Sequence, residues 1–359
     1  MKAVFITIHV GYNFGSVLQA IATSRVLKEV GAEPQCINYI PPRVTERRYW
    51  KEGMTSPIRF IRRFLFFPIH YYAEKNFSRY LVKHCPMSKA IYSSDNFPNV
   101  CPKADYYITG SDQVWNYKHN EGIDTHYFFD GIDGKKIAFS SSIGMTELPE
   151  DYAEYMKKQL KMYSAISVRE ASAKEMLASW GIESTHLIDP TLVLDKGKWS
   201  EYASKRLCKE PYLFVYLPYN ISDKETVYAT VRKIAEKNNL KVVTYTWDHQ
   251  RDKMADKTFI FANPGDILSL FLHADGVITN SFHGTAFSIN LNKQFWVYMP
   301  SKFSTRLLSL IELCGLKERI LEGVITDEEM DNTIDFTKTN QVLASERRKA
   351  RNFIKNALF

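Results

Sequence analysis

The sequence predicts an α/β protein of two doubly wound, parallel-sheet domains whose strand ends face a cleft. Three observations carry this. The chain opens with an apolar strand, a Gly-bearing loop and an apolar helix, the first unit of a doubly wound sheet. A second series of the same kind begins at residue 212. At 359 residues the chain also exceeds the size at which one hydrophobic core keeps growing.

Taken in order, residues 3–8 read as a buried strand, and the loop HVGYNFGS at 9–16 leads into a helix over about 17–30. That loop departs from GxGxxG, so no dinucleotide site is implied. CINYI at 36–40 is the second strand, ended by Pro41 and Pro42. An insertion follows, over about 41–86. Then come strands at 106–109 and 136–140, a helix at 150–163, a strand at 165–170, a helix at 171–180 and a short strand at 185–188. The break between domains is expected near 205–211. Beyond it the pattern gives a strand at 212–216, a helix at 223–238, a strand at 241–245 and a helix at 264–274. GVIT at 276–279 is the next strand, with an exposed-looking FHG and a helix opening at Thr285 after it. A strand at 295–298, a helix at 305–314 and a last helix at 343–359 complete the chain. The domains are therefore expected at 1–207 and 208–340, with 341–359 returning to the first.

Composition is that of a globular protein, 45% hydrophobic and 24% charged. No stretch approaches the ~18 to 20 apolar residues of a membrane span. The N-terminus MKAVFITIHVG lacks a small-residue cleavage site and runs into a turn, so it reads as a strand and not a signal segment. Cys36, Cys85, Cys101, Cys208 and Cys314 are scattered and never in a CxxC pair, the usage of reduced cytoplasmic thiols. The net charge of +7 is unevenly placed. Between positions 43 and 83 Arg and Lys alternate with Phe, Tyr and Trp, which suits an anionic membrane surface or a diphosphate-bearing acceptor; solvated helix faces are the plainer alternative. No nucleic-acid motif accompanies the charge, so nucleic acid is not an expected partner.

Four polar clusters fall at predicted strand ends: Asn13 to Ser16, Ser111 to Asn116, Arg169, and His283. Ligands of open α/β sheets sit outside the carboxyl ends of strands, and a helix N-terminus favours an anion. His283 there either donates a proton to an anionic ligand or merely caps a helix. The sequence holds no D-x-D, HExxH, P-loop or Gly-x-Ser-x-Gly, so the common metal-dependent transferases, zinc hydrolases and serine hydrolases are poorly supported.

Together the motifs NFGSVLQA at 13–20, GSDQVWN at 110–116, SVRE at 167–170, DPT at 189–191, ITNSFHG at 278–284 and STRLL at 304–308 resemble the polysaccharide pyruvyl transferase family. The resemblance spans about residues 1 to 320 and is most specific at GSDQVWN and TNSFHG. It implies two Rossmann-like domains similar to the GT-B glycosyltransferases. It also implies a reaction in which phosphoenolpyruvate gives its three-carbon unit to two hydroxyls of a galactose-like hexose, forming a cyclic ketal and releasing phosphate, in cell-surface polysaccharide biosynthesis. Neither a metal nor a further cofactor is implied.

By that resemblance His283 is the general acid or a phosphate ligand, and Arg169 holds the donor's carboxylate or phosphate. Gly284 and Thr285 offer backbone N–H groups. Ser281 stands where some members carry an arginine, and Lys302 and Arg306 are the candidates to replace its charge. The acceptor is expected against Asn13, Gly15, Ser16, Gln19, Ser111, Asp112, Gln113, Trp115 and Asn116, with the Trp115 ring as a sugar-stacking face and Asp112 as base. A lipid-diphosphate-linked acceptor at the inner face of a membrane fits the basic, aromatic segment, and places the protein in the cytoplasm, peripheral to that membrane. A nucleotide-sugar glycosyltransferase of the GT-B type and a non-catalytic glycan-binding or scaffold protein are the alternatives.

Overall fold

Strands in a fully covered parallel sheet are apolar on both faces, and the runs AVFI, YYIT and GVIT are of this kind. In the computed structural model, which describes residues 1–44, 56–221, 223–246, 253–300 and 304–359, each of them is a buried strand. The chain divides into two compact units, Met1–Val193 with Arg348–Phe359, and Leu194–Arg347.

Among its described residues the first unit builds a sheet from β1 (Lys2–Ile6), β2 (Glu33–Ile40), β3 (Met87–Tyr92), β4 (Tyr106–Thr109), β5 (Lys135–Ser141), β6 (Tyr163–Val168) and β7 (Thr185–His186). The spatial order is β3-β2-β1-β4-β5-β6-β7, and β1 lies parallel to both β2 and β4. Crossover helices are α1 (Phe14–Glu29), α2 (Pro57–His84), α3 (Glu150–Leu160) and α4 (Ala171–Ser179). Val4, Ile6, Tyr107, Trp115 and Phe128 share one core. Burying each aliphatic side chain of that kind stabilises by roughly 1.5–3 kcal/mol.

The second unit repeats the plan. β8 (Tyr212–Tyr216), β9 (Lys241–Tyr245), β10 (Lys257–Phe259), β11 (Gly276–Thr279), β12 (Gln294–Tyr298) and β13 (Ile320–Leu321) are ordered β10-β9-β8-β11-β12-β13. Its crossover helices are α5 (Lys224–Lys237), α6 (Pro264–His273), α7 (Phe282–Asn290) and α8 (Ser304–Cys314). In each sheet the strand order reverses once, between β1 and β4 and between β8 and β11. Such switch points are where doubly wound sheets hold their ligands.

Several boundaries differ from the sequence reading. The units part at Val193 and not near 205–211, because the intervening residues pack on the second unit. The Trp199 ring meets Phe287 edge-on at 5.2 Å, Leu194 O accepts from Asn290 Nδ2 at 2.8 Å, and Lys205 O accepts from Ser269 Oγ at 3.1 Å. The helix α1 starts at Phe14, ahead of 17, since the Asn13 side chain accepts from the N–H groups of Gly15 and Ser16. The last helix, α9 (Phe336–Leu358), is longer than the apolar spacing suggested, and its end from Arg348 belongs to the first unit. Among the described residues no helix is long and apolar enough to cross a membrane. All five cysteines are buried free thiols.

Candidate active site

In the second unit the switch point is built from the end of β11. Asn280 donates through Nδ2 to Tyr219 O at 2.9 Å, tying the turn to the segment that follows β8. Ser281 then caps α7: its hydroxyl accepts from Gly284 N at 3.3 Å and its carbonyl from Thr285 N at 2.9 Å. The two N–H groups expected to meet a donor are thus consumed by the helix itself. Those of Phe282 and His283, the first two helical positions, have no intrahelical acceptor by position.

The stretch that reads as exposed is buried. His283 is only 5% exposed, as is Phe282, because α7 leans directly on β11. Gly284 permits that approach: a Cβ there would lie 2.3 Å from Thr279 Oγ1. The Thr285 hydroxyl is buried with no hydrogen-bond partner among the described residues. Arg306, 3% exposed, holds its guanidinium carbon 5.6 Å from the Phe282 ring centroid, so a cation stands beside the start of α7. Lys302 lies outside the described residues. This corner of the unit therefore joins an imidazole, a helix N-terminus and an arginine, a set that suits an anion able to take up a proton.

The first unit's switch point is a closed network. Asp112 has a left-handed backbone (φ 67), tolerated because its Oδ1 accepts from the next N–H, Gln113 N, at 2.9 Å. Its Oδ2 accepts from Ser16 Oγ at 2.5 Å. Arg169, just past β6, is 4% exposed and lies among three carboxylates: it bonds Asp189, and stands 3.6 Å from Asp112 and 3.8 Å from Glu170. Burial opposes its charge, but Asp189, Asp112 and Glu170 outweigh that and raise its pKa. The guanidinium so placed ties the turn after β4 to the residues that follow β6 and to Asp189.

Other expected acceptor contacts turn out to be structural. The Trp115 ring is fully buried, stacked on Phe128 at 5.7 Å, and its Nε1 donates to Tyr127 O at 3.4 Å; no face is left for a sugar. Gln19, also fully buried, donates to Thr7 Oγ1 and Ile8 O. Asn116 Nδ2 donates to Gln113 Oε1 at 2.7 Å, and its Oδ1 caps a short helical turn at His119 N. Ser111 Oγ donates to Asp189 Oδ2 at 3.0 Å. Gly15 sits in the first turn of α1 and Asn13 remains exposed as its cap.

The sequence reading missed a cavity in the first unit, at the carboxyl ends of β2 and β3. It measures about 370 Å³, within the span of small-ligand sites, and is lined by Tyr39, Arg43, Ser93, Asn120, Asp124 and His126 among others. Tyr39 Oη donates to Asp124 Oδ2 at 2.8 Å, and Asp124 Oδ1 lies 2.9 Å from His126 Nδ1. The His126 ring stacks on Tyr39 at 4.4 Å, and its Nε2 is buried with no hydrogen-bond partner among the described residues. The alternation Asp124-Thr125-His126 was the available signal, but nothing local in the sequence brings it to Tyr39.

Residues 13–301 match the polysaccharide pyruvyl transferase family. The chain belongs to that family. No curated protein matches it. Among solved structures it is similar to UDP-N-acetylglucosamine 2-epimerase from Rickettsia bellii, with 9% identity and a TM-score of 0.52 over 100% of this chain and 97% of that one. Anabaena HepE in complex with UDP and glucose gives 7% identity and a TM-score of 0.49 over 99% and 100% of the two chains. The glycosyltransferase SnogD from Streptomyces nogalater gives 10% identity and 0.40 over 98% and 94%. The fold is α/β with two parallel sheets, similar to that of the Rickettsia bellii epimerase, and the family is one of polysaccharide-modifying transferases.

Proposed function

We propose that this member transfers the pyruvate unit of phosphoenolpyruvate to two hydroxyls of a galactose-like hexose in a lipid-diphosphate-linked glycan precursor, at the cytoplasmic face of a membrane. The observation that supports it most is the corner of the second unit where His283, the start of α7 and Arg306 meet. Protonation of the donor's methylene carbon makes an oxocarbenium-like centre at C2. One sugar hydroxyl attacks that carbon and gives up its proton. The C2–O bond to phosphate then breaks, phosphate departs, and the second hydroxyl closes the ketal with loss of its own proton. His283 is the general acid, and Arg306 with the positive end of α7 binds the phosphate. Lys302 is a further candidate for that charge.

On this reading Asp112 and Arg169 position the turn after β4 instead of gripping the donor. Incubation with phosphoenolpyruvate and lipid-linked hexose acceptors should release phosphate and add the mass of a pyruvate ketal to the acceptor. His283→Gln should lower kcat by about 10²- to 10⁴-fold, the usual worth of a positioned proton donor. Protection from thermal unfolding by a nucleoside diphosphate, and none by phosphoenolpyruvate, would favour the nucleotide-sugar reading instead.

A further inference from the structure

The helix α2 carries more exposed apolar surface than folding of the first unit explains. Phe64 is 63% exposed and Leu65 65%, and Ile58, Ile61 and Tyr72 are likewise open to solvent. With 3.6 residues per turn, positions 58, 61, 65 and 72 share one face, flanked by 60, 64 and 71. Arg63 lies on the other side of the helix, about half a turn round from Tyr72. Phe66, also exposed, lies outside that arc, so large apolar groups extend round much of the helix with basic residues among them.

The other end of the same helix shows which way that apolar face points. Phe77 and Leu81 are 2% and 3% exposed, where α2 packs on its unit. Leu81 lies eighteen residues after Arg63, about five turns of helix, and so on the same side as it. The apolar arc of the N-terminal half faces away from the side by which α2 is held. Nor is this a single stray side chain: large apolar groups are exposed from Ile58 to Tyr72. Patches of that extent mark a binding surface.

Charge selects the occupant. The helix holds six Arg and Lys against the single acid Glu74. A second copy of this chain would bring the same positive charge to the contact. An anionic bilayer would neutralise it while taking up the phenylalanines and leucine at the boundary of headgroups and acyl chains.

We propose that α2 is an in-plane membrane-docking helix that binds anionic phospholipid through Ile58, Ile61, Phe64, Leu65 and Tyr72, with its basic residues on the headgroups. This deepens the reading of a membrane-borne acceptor, but its test needs no catalysis, so either can fail alone. The full chain is mixed with vesicles of phosphatidylcholine, with and without about one-third phosphatidylglycerol, and floated on a gradient. Binding is expected to the anionic vesicles only and to weaken as salt rises. The pair Phe64→Asp and Leu65→Asp should reduce it at least about tenfold, with the circular dichroism melt unchanged because both side chains are exposed. Arg63→Glu should weaken it while leaving the apolar face intact. Absence of binding to anionic vesicles, or equal binding by the Asp pair, would overturn the proposal. So would a parent chain that sediments as a dimer and becomes monomeric in the Asp pair.

Discussion

His9 lies buried past the end of β1, with Nδ1 donating to Thr7 O at 3.1 Å and Nε2 3.2 Å from Asn38 Oδ1. Burial lowers its pKa below the ordinary 6.5, and the bonds to Thr7 and Asn38 only partly offset this. Above pH 6.5 the ring is neutral in both folded and unfolded chains. Below it the unfolded chain takes up a proton that the folded one resists, so stability is lost as pH falls. In urea unfolding, the parent's midpoint should therefore drop more between pH 7.5 and 5.5 than that of His9→Gln. Parallel loss in the two would show that other groups govern the acid limb. At this scale residue type was easier to read than role. GSDQVWN and TNSFHG stand out by composition, yet whether Trp115 meets a sugar or Phe128, and whether Arg169 meets an anion or Asp189, depends on strands far apart in sequence.

Elements were more legible, because strand and helix periods are local. The strands β4, β8, β9 and β11 run where their apolar runs lie. The short edge strands β3, β10 and β13 escaped notice, since Met87–Tyr92 is half polar and the other two hold three residues and two. Helix starts were misjudged where Asn13 and Ser281 cap them, each one turn earlier than the apolar period begins. The contact of α7 with β11 makes a prediction. Thr279 Oγ1 is held by Tyr216 O at 2.7 Å and by Ser281 N at 3.1 Å, so it cannot yield to a new methyl at position 284. Gly284→Ala should cost about 1–3 kcal/mol, read as a lowered urea midpoint at unchanged slope. A midpoint equal to the parent's would mean that α7 can slide off β11.

At the scale of the whole chain, length and the second βα series announced two units, but the sequence offered no cue that residues 194–207 belong to the second. That allegiance rests on tertiary contacts such as Trp199 with Phe287. The last helix is the converse case: α9 starts in the second unit and ends in the first. Ala350, Ile354 and Leu358 are at most 2% exposed there, and Tyr106 Oη donates to Leu358 O at 2.6 Å. Removing residues 348–359 strips Ile354 and Leu358 from the core, each worth roughly 1.5–3 kcal/mol, and leaves a buried tyrosine hydroxyl to find water. Hydrogen exchange should then quicken at β1 and β4, beside Tyr106, while β8, β9 and β11 keep their protection. Faster exchange across both sheets alike would mean that the two units unfold as one, and that α9 transmits stability between them.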